Sequence, residues 1–463
     1  MSVTNNQDRL STEKDSASYD NEQSSGPSSS ADANETRSPM QDLEKEGTGQ
    51  AGTPAQAPTL EFPEGGLQAW LAVLGGWMVT FCTAGTMQSF GVYQSYYTVF
   101  SLTDHPPADI SWIGSLQGCF MFGGGIISGQ LFDKGYFRQL IGYGSILFLF
   151  SSFMLSLAQP HHFYQNFLAQ GVGMGFAMGM MFMPALSIPS HYFKKRRALA
   201  MGLVLSGGSV GSTIYPILLN RLFANPSVGF AWGVRAQSFL DLAFLAFANA
   251  VMRTRLPPRG KKNVDMLGIV TDWGYVLTCL GSFLIFWGLF VPYFYLQLFA
   301  NKHDMPANIV TYGITILNAL GIVGRMVPNF FADIFGSFNA TIAVSVISGG
   351  LVFALLGSTT PAGYVPFAVL YGFTSGGFSS LIGPVAASYA RDINEVGTRM
   401  GLLTFVSSFA LLTGSPISGA LLHPPEYLWW RPVVFSGVTM LGGSVLLLIA
   451  RTMMTKKRGT WRV

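Results

Sequence analysis

The stretch PALSIPSHYFKKRRALAMGLVLSGGSVG, residues 184–211, decides the fold. Its four consecutive cations, Lys194 to Arg197, separate two long apolar runs. A cation at the centre of a bilayer costs about 2.5 to 3.5 kcal/mol on insertion scales, so this block must lie outside the lipid. Cytoplasmic loops carry the excess of Lys and Arg, which places the block on the inner side and fixes the direction of both flanking helices.

Small residues recur along the apolar run that follows the basic block. Gly202, Gly207, Gly208 and Gly211 stand at spacings of three, four and five residues. A stripe of small side chains lets the backbone of a second helix approach closely. We therefore expect this helix to be packed tightly against a neighbour.

The stretch resembles the loop and fifth helix of the monocarboxylate transporter family of the major facilitator superfamily. That family pattern is an aromatic pair, a basic cluster, Ala-x-Gly and a Gly/Ser-rich helix. Tyr192-Phe193, Lys194 to Arg197, Ala200-Met201-Gly202 and Gly207 to Gly211 match it in that order. The resemblance implies a transporter.

A second match lies before the first apolar run. Glu64-Gly65-Gly66 and Trp70 resemble the family's acidic-Gly-Gly-aromatic motif. The glycines permit a tight turn, and the tryptophan suits the membrane interface. The resemblance then extends from Glu64 to the end of the last apolar run.

Composition indicates a polytopic membrane protein. The 463 residues are 49% hydrophobic and only 11% charged, against roughly 25% charged in soluble domains. The net charge of +4 lies mostly in short loops, where membrane topology explains it, so no nucleic-acid partner is expected. The three cysteines, Cys82, Cys119 and Cys279, fall inside apolar runs and are expected to be buried thiols.

Twelve apolar runs are long enough to cross a hydrocarbon core of about 30 Å, which predicts an all-α membrane protein with twelve transmembrane helices. The predicted spans are 69–95, 110–132, 139–158, 162–188, 197–222, 231–252, 272–298, 308–332, 339–358, 361–389, 399–422 and 431–451. With both termini inside, the cytoplasmic loops and C-terminal tail hold eighteen Lys and Arg residues and the opposite side holds four. The positive-inside rule favours that even count.

The chain repeats itself at a spacing of about 200 residues, as the parallel halves of major facilitator transporters do. Pro184 recurs as Pro384, and Asp133 as Asp333. The predicted organisation is two pseudo-symmetric six-helix halves with the binding site between them. Its segments are a disordered tail (1–62), the first half (63–252), a cytoplasmic linker (253–270), the second half (271–452) and a basic tail (453–463).

A loop between the second and third spans carries the gating prediction. Gly129 to Arg138, with Asp133, Lys134 and Arg138, looks like the superfamily's G-x-x-x-D-[RK]-x-G-x-[RK] loop. A carboxylate at a helix end can oppose the positive N-terminus of a facing helix, while the cations keep the loop inside. Asp333 is the carboxylate of the second copy, which lacks the loop cations. We expect all four charged residues to act in gating.

Arg325 is the leading candidate for substrate binding. It is the only cation well inside a predicted span, and a guanidinium matches a carboxylate bidentately. In the resembling family an arginine at this place is linked to carboxylate binding; the alternative is an internal pair with Asp333. Where animal members of that family have a lysine and an aspartate, this chain has Gln88 and Gly321, which argues against lactate-type proton symport.

Other polar residues at membrane depth complete the predicted site. Gln88, Asn166, Gln170 and Asn318 are candidates to line the substrate cavity. Asp241 is a candidate proton carrier, with a structural role as the alternative because the sixth span supports the bundle from its periphery.

The sequence therefore predicts a secondary transporter for a small organic solute, a carboxylate or a fungal secondary metabolite, working by alternating access. No enzyme motif, metal site or cofactor is expected. Three alternatives stay open, namely export for a biosynthetic pathway, import of a monocarboxylate or vitamin-like metabolite, and a non-transporting nutrient sensor; no residue reveals the direction of transport. The expected partners are the substrate, protons and the bilayer. We expect a monomer in the plasma membrane, and the vacuolar membrane is the alternative location.

Overall fold

The computed structural model describes residues 64–193, 196–255, 265–391 and 393–462, and for residues 197, 198, 333, 393 and 394 it describes only the backbone. The predicted N-terminal tail, Lys194, Lys195 and half of the predicted linker (residues 256–264) lie outside the described residues. We label the long helices α1 to α12 in chain order. Their bounds are α1 Leu67–Ser101, α2 Pro107–Asp133, α3 Phe137–Leu155, α4 Phe163–His191, α5 Arg197–Phe223, α6 Gly229–Val251, α7 Trp273–Lys302, α8 Ala307–Phe335, α9 Ser337–Ala354, α10 Pro361–Ser388, α11 Ile393–Leu422 and α12 Trp430–Arg458.

Eleven of the described helices are long and apolar enough to cross a membrane. The remaining long helix, α6, has 23 residues, about 35 Å at 1.5 Å per residue, which is sufficient to span the hydrocarbon core. It carries Arg235 and Asp241, whose charges reduce its apolar character. The predicted all-α fold is confirmed.

The two sets of six helices carry matching prolines. Pro184 lies in α4 and Pro384 in α10, the fourth helix of each set. Pro216 lies in α5 and Pro416 in α11, the fifth of each set. Helices in a bundle tolerate such prolines because their neighbours satisfy the freed carbonyl groups. We call α1–α6 the first half and α7–α12 the second half.

The small-residue stripe of α5 brings it against α1. A Cβ placed on Gly207 would lie 2.1 Å from the Trp77 carbonyl oxygen, and one on Gly211 would lie 2.5 Å from that of Phe81. Gly202 has nothing within 4 Å of its Cβ position. The stripe therefore works as predicted from Gly207 onward but not at Gly202.

The loop between α2 and α3 has the form that its motif predicted. α2 ends at Asp133, and Gly135 adopts φ +93°, a left-handed conformation that favours glycine. Lys134 and Arg138 are exposed at this end of the bundle.

The two motifs that carried the resemblance meet at the start of α1. The Glu64 N–H donates to the Tyr192 carbonyl at 3.2 Å, and the Arg196 N–H donates to the Glu64 carboxylate at 3.3 Å. Trp70 packs edge-on against Phe193, with ring centroids 5.3 Å apart.

The second half repeats this arrangement with side chains that sequence reasoning did not single out. Arg399, fully buried near the start of α11, pairs with Asp272 before α7 at 3.5 Å and with Glu395 at 3.2 Å. Its guanidinium also lies 4.9 Å from the centre of the Tyr275 ring. Each half thus ties the start of its first helix to the start of its fifth.

Candidate substrate site

Arg325 lies where the two halves meet. It stands ten residues, about 15 Å, from Phe335, the end of α8 that the positive-inside rule assigns to the cytoplasm, and is therefore expected deep in the membrane. One terminal nitrogen donates to Gln88 Oε1 of α1 at 2.7 Å, and the other donates to the Ser209 hydroxyl of α5. The guanidinium of the second half is thus held by two side chains of the first.

Both partners of Arg325 are neutral. Within the described side chains, no carboxylate lies within ion-pair distance of its guanidinium; the side chain of Asp333, the alternative partner, is not described. A charged group at this depth is costly unless it serves a function or finds a counter-ion. An anion would supply the counter-charge that Arg325 lacks among the described side chains.

A tyrosine and an aromatic cluster lie beside Arg325. The Tyr293 hydroxyl of α7 interacts electrostatically with the guanidinium and is within hydrogen-bonding distance of Ser375 Oγ, at 3.1 Å. Its ring approaches those of Phe290 and Tyr371, at 5.5 and 6.5 Å between centroids. An anion at Arg325 would therefore lie beside Tyr293 and its buried aromatic neighbours.

Asn318 makes a further contact between the halves, closer to the outer end of α8. Its side-chain amide donates to the Ser212 carbonyl of α5 at 2.9 Å, and its own oxygen is buried without a hydrogen-bond partner. Gln88 and Asn318, two of the predicted cavity residues, thus lie with Arg325 along the junction of the halves.

Asn166 and Gln170, the other two predicted cavity residues, bond elsewhere. Gln170 accepts a hydrogen bond from the Tyr97 hydroxyl at 2.8 Å, and Asn166 donates to the His162 carbonyl at 3.5 Å. Both are almost fully buried inside the first half.

Polar contacts between the halves continue outward from Arg325. Gln297 donates to Asn220 at 2.8 Å, Asn301 donates to Ser95 at 2.7 Å, and Arg221 donates to Tyr312 at 2.7 Å. We call these three pairs the outer seam.

On the cytoplasmic side of Arg325, no hydrogen bond joins the halves among the described residues. Space is also open around Gly202 on the inner part of α5. Among the described residues, the hydrogen bonds between the halves therefore lie at the level of Arg325 or outward of it.

The sequence predicted Gln88 as a site residue but did not identify Ser209, the second partner of Arg325. Ser209 lies 116 residues from Arg325 on a helix whose facing direction is set by packing. The one available signal for Ser209 was its position within the glycine stripe.

Three methionines of α4 belong to the core. Met174, Met178 and Met181 are at most 1% exposed, and their role is packing.

A bundle of membrane-crossing helices with a charged seam between its halves defines a solute transporter rather than an enzyme. Residues 68–392 match the model of the Major Facilitator Superfamily, and the chain belongs to that family. It is a multi-pass membrane protein.

The chain is similar to several fungal efflux proteins. The chain is 41% identical to the aspyridones efflux protein of Emericella nidulans, over 86% of this chain and 81% of that protein. It is 38% identical to the agnestins efflux protein of Paecilomyces divaricatus, over 86% and 90%. It is 36% identical to the fujikurins efflux protein of Gibberella fujikuroi, over 88% of each.

Solved structures share the fold at low identity. The crystal structure of a nucleoside transporter mutant superposes with a TM-score of 0.66 at 13% identity, over 82% of this chain and 99% of that one. A peptide transporter in complex with sulfate gives 0.64 at 15% identity, over 86% and 96%.

Proposed function

We propose that this transporter exports an acidic secondary metabolite with an apolar, aromatic body. The observation that carries the proposal is Arg325, a membrane-embedded guanidinium whose described partners, Gln88 and Ser209, are both neutral. The aspyridones, agnestins and fujikurins efflux proteins are similar over more than four fifths of this chain, which favours export over uptake and over a sensor.

The same contacts suggest how substrate binding promotes opening. An anion that takes the two terminal nitrogens of Arg325 competes with Gln88 and Ser209 for the same donors. A hydrogen bond from a guanidinium to an ionised acceptor is stronger than one to a neutral acceptor, so the anion wins this exchange. Loss of the two bonds loosens the junction at its deepest point and favours separation of the outer seam.

The remaining assignments form part of the proposal. Gln88 and Asn318 line the site with Arg325, whereas Asp133, Lys134, Arg138 and Asp333 act in the cytoplasmic gate. The chain is assigned to the monocarboxylate porter branch on its loop and first-helix motifs. It acts as a monomer in the plasma membrane, and its two halves have the boundaries that the sequence repeat predicts.

Metabolite profiling combined with transport tests the proposal. Cells lacking the gene should retain acidic aromatic metabolites that cells with the wild-type protein release. In liposomes, the wild-type protein should exchange labelled naphthoate, a planar aromatic carboxylate, and Arg325→Gln should not. Equal rates for both proteins, or unchanged retention in the deletion cells, would refute the assignment.

A further inference from the structure

A fully buried carboxyl stands in the middle of the first half. Asp241 lies twelve residues, about 18 Å, from the outer end of α6 at Gly229 and is 0% exposed. Its Oδ1 accepts a hydrogen bond from the Tyr215 hydroxyl of α5, and the Cys82 thiol of α1 lies close to the carboxyl. Oδ2 has no hydrogen-bond partner.

No cation compensates this carboxyl among the described residues. The titratable groups that face it are Cys82, Tyr215 and, farther along α1, Tyr93, all uncharged at neutral pH. On the side of α3, the contact with α6 is between Ser152 and Ser238. Burying an ionised carboxylate without a counter-ion is costly, which makes this carboxyl a candidate to take up a proton.

Buried polar side chains continue from Asp241 toward the outer surface. Gln237 stands one turn outward on α6, and its Oε1 accepts from the Tyr93 hydroxyl at 2.7 Å. Tyr97 lies one turn beyond Tyr93, and the centroids of the two tyrosine rings are 6.0 Å apart. The Tyr97 hydroxyl donates to Gln170 Oε1 at 2.8 Å. These four side chains are 0 to 1% exposed.

The polar row reaches the surface through α4. Asn166 lies one turn outward from Gln170 and donates to the carbonyl of His162, an exposed residue of the outer loop. Both amides keep an unpaired atom, Gln170 Nε2 and Asn166 Oδ1. The stretch of α4 from Phe167 to Met174 and the end of α1 from Tyr97 are π-helical, a local geometry that is frequent at functional sites.

Aromatic rings pack against the row. Phe230 contacts Tyr93 and Tyr97 at 6.4 and 5.8 Å between centroids, and Phe223 contacts Tyr93 at 6.0 Å. The row therefore runs inside the first half, separate from the outer seam through which a substrate would leave.

We propose that Asp241 is the proton site that couples export to proton entry and that the buried row from Asn166 to Gln237 delivers the proton from outside. The inference rests on the proposed export function. A proton from external water moves along the row and binds the Asp241 carboxylate at Oδ2, the oxygen without a partner. The neutral acid releases it to the cytoplasm later in the cycle, so each transport cycle carries one proton inward.

Infrared difference spectroscopy tests the proton site without any substrate. Wild-type protein in liposomes, compared with Asp241→Asn, should show the carbonyl stretch of one protonated carboxylic acid. After transfer to heavy water this band should shift as the proton exchanges. Tyr97→Phe and Gln170→Leu should slow the exchange about tenfold.

Gln297→Leu is the matched control, because it breaks an outer-seam bond of 2.8 Å and leaves the buried row intact. It should exchange at the wild-type rate. Absence of the carboxyl band in the wild type, or equal exchange rates in all variants, would overturn the proposal.

Transport of labelled naphthoate separates coupling from transport itself. Asp241→Asn should retain exchange of naphthoate across the liposome membrane, yet a pH gradient should no longer drive its accumulation. Gradient-driven accumulation equal to wild type would overturn the coupling role. A wild-type protein that exchanges no naphthoate would instead count against the proposed substrate class, and the infrared result would stand by itself.

Discussion

Replacing Gly207 by alanine tests how closely α5 and α1 must approach. A Cβ at this position would lie 2.1 Å from the Trp77 carbonyl oxygen and 2.6 Å from Thr80 Oγ1. Cβ atoms in proteins essentially never approach other atoms below 3.0 Å, so the two helices must move apart by about 0.9 Å. Overpacking of this kind costs about 1–3 kcal/mol.

Gly202→Ala is the matched control on the same helix. Its Cβ position has nothing within 4 Å. Alanine is favoured over glycine inside a helix by roughly 0.5–1 kcal/mol, so this variant should be as stable as the wild type or slightly more so.

Thermal unfolding of the detergent-solubilised proteins, followed by loss of the monodisperse peak on size exclusion, provides the assay. Gly207→Ala should unfold several degrees below the wild type, whereas Gly202→Ala should not. If both variants unfold together, the close approach of α5 to α1 does not limit stability and the reasoning fails.

Three further predictions concern charged and polar groups. Arg325→Lys keeps the positive charge but loses the two-pronged guanidinium. Its initial rate of naphthoate exchange should fall about tenfold, to a value between those of the wild type and Arg325→Gln. A rate equal to that of Arg325→Gln would contradict this prediction. The sequon Asn339-Ala340-Thr341 should carry no glycan in a eukaryotic host, because the positive-inside rule places the start of α9 in the cytoplasm, away from the luminal glycosylation machinery; a mobility shift on glycosidase treatment would place this end outside. Arg399→Leu should cost about 3–5 kcal/mol by leaving Asp272 and Glu395 unpaired, and thermal melting should show partial rescue by a second Asp272→Asn change; no loss would mean that the pairs are not stabilising.

The fold followed from the sequence because lipid imposes strong constraints. The basic block, Lys194 to Arg197, could lie only outside the bilayer, and this fixed the direction of α4 and α5. Hydrophobic length gave the helix count, including α6, whose two charges made it the least apolar. The positive-inside rule places a cation on one side of the membrane but does not say whether its side chain is buried. The buried ion pairs of Arg399 were therefore not predicted.

The candidate site was only partly predictable. Arg325 drew attention as a charge within an apolar run, and Gln88 through its alignment with a charged residue of the resembling family. Their direct contact joins positions 237 residues apart. No local pattern specifies which faces of two distant helices will meet, because that depends on how the whole bundle packs.

The positions of Asn166 and Gln170 separate two tasks that the sequence had merged. Both were predicted to line the substrate cavity because they are polar and lie at membrane depth. The structure places them within the first half, in line with Tyr97 and apart from Arg325. Helix α5 lies between the two groups: Ser209 accepts from Arg325, and Tyr215 donates to Asp241. If protonation of Asp241 alters its bond to Tyr215, the same helix that carries this change also holds Arg325. A single helix thus links the proposed proton site to the proposed anion site, which is the connection that coupled exchange requires.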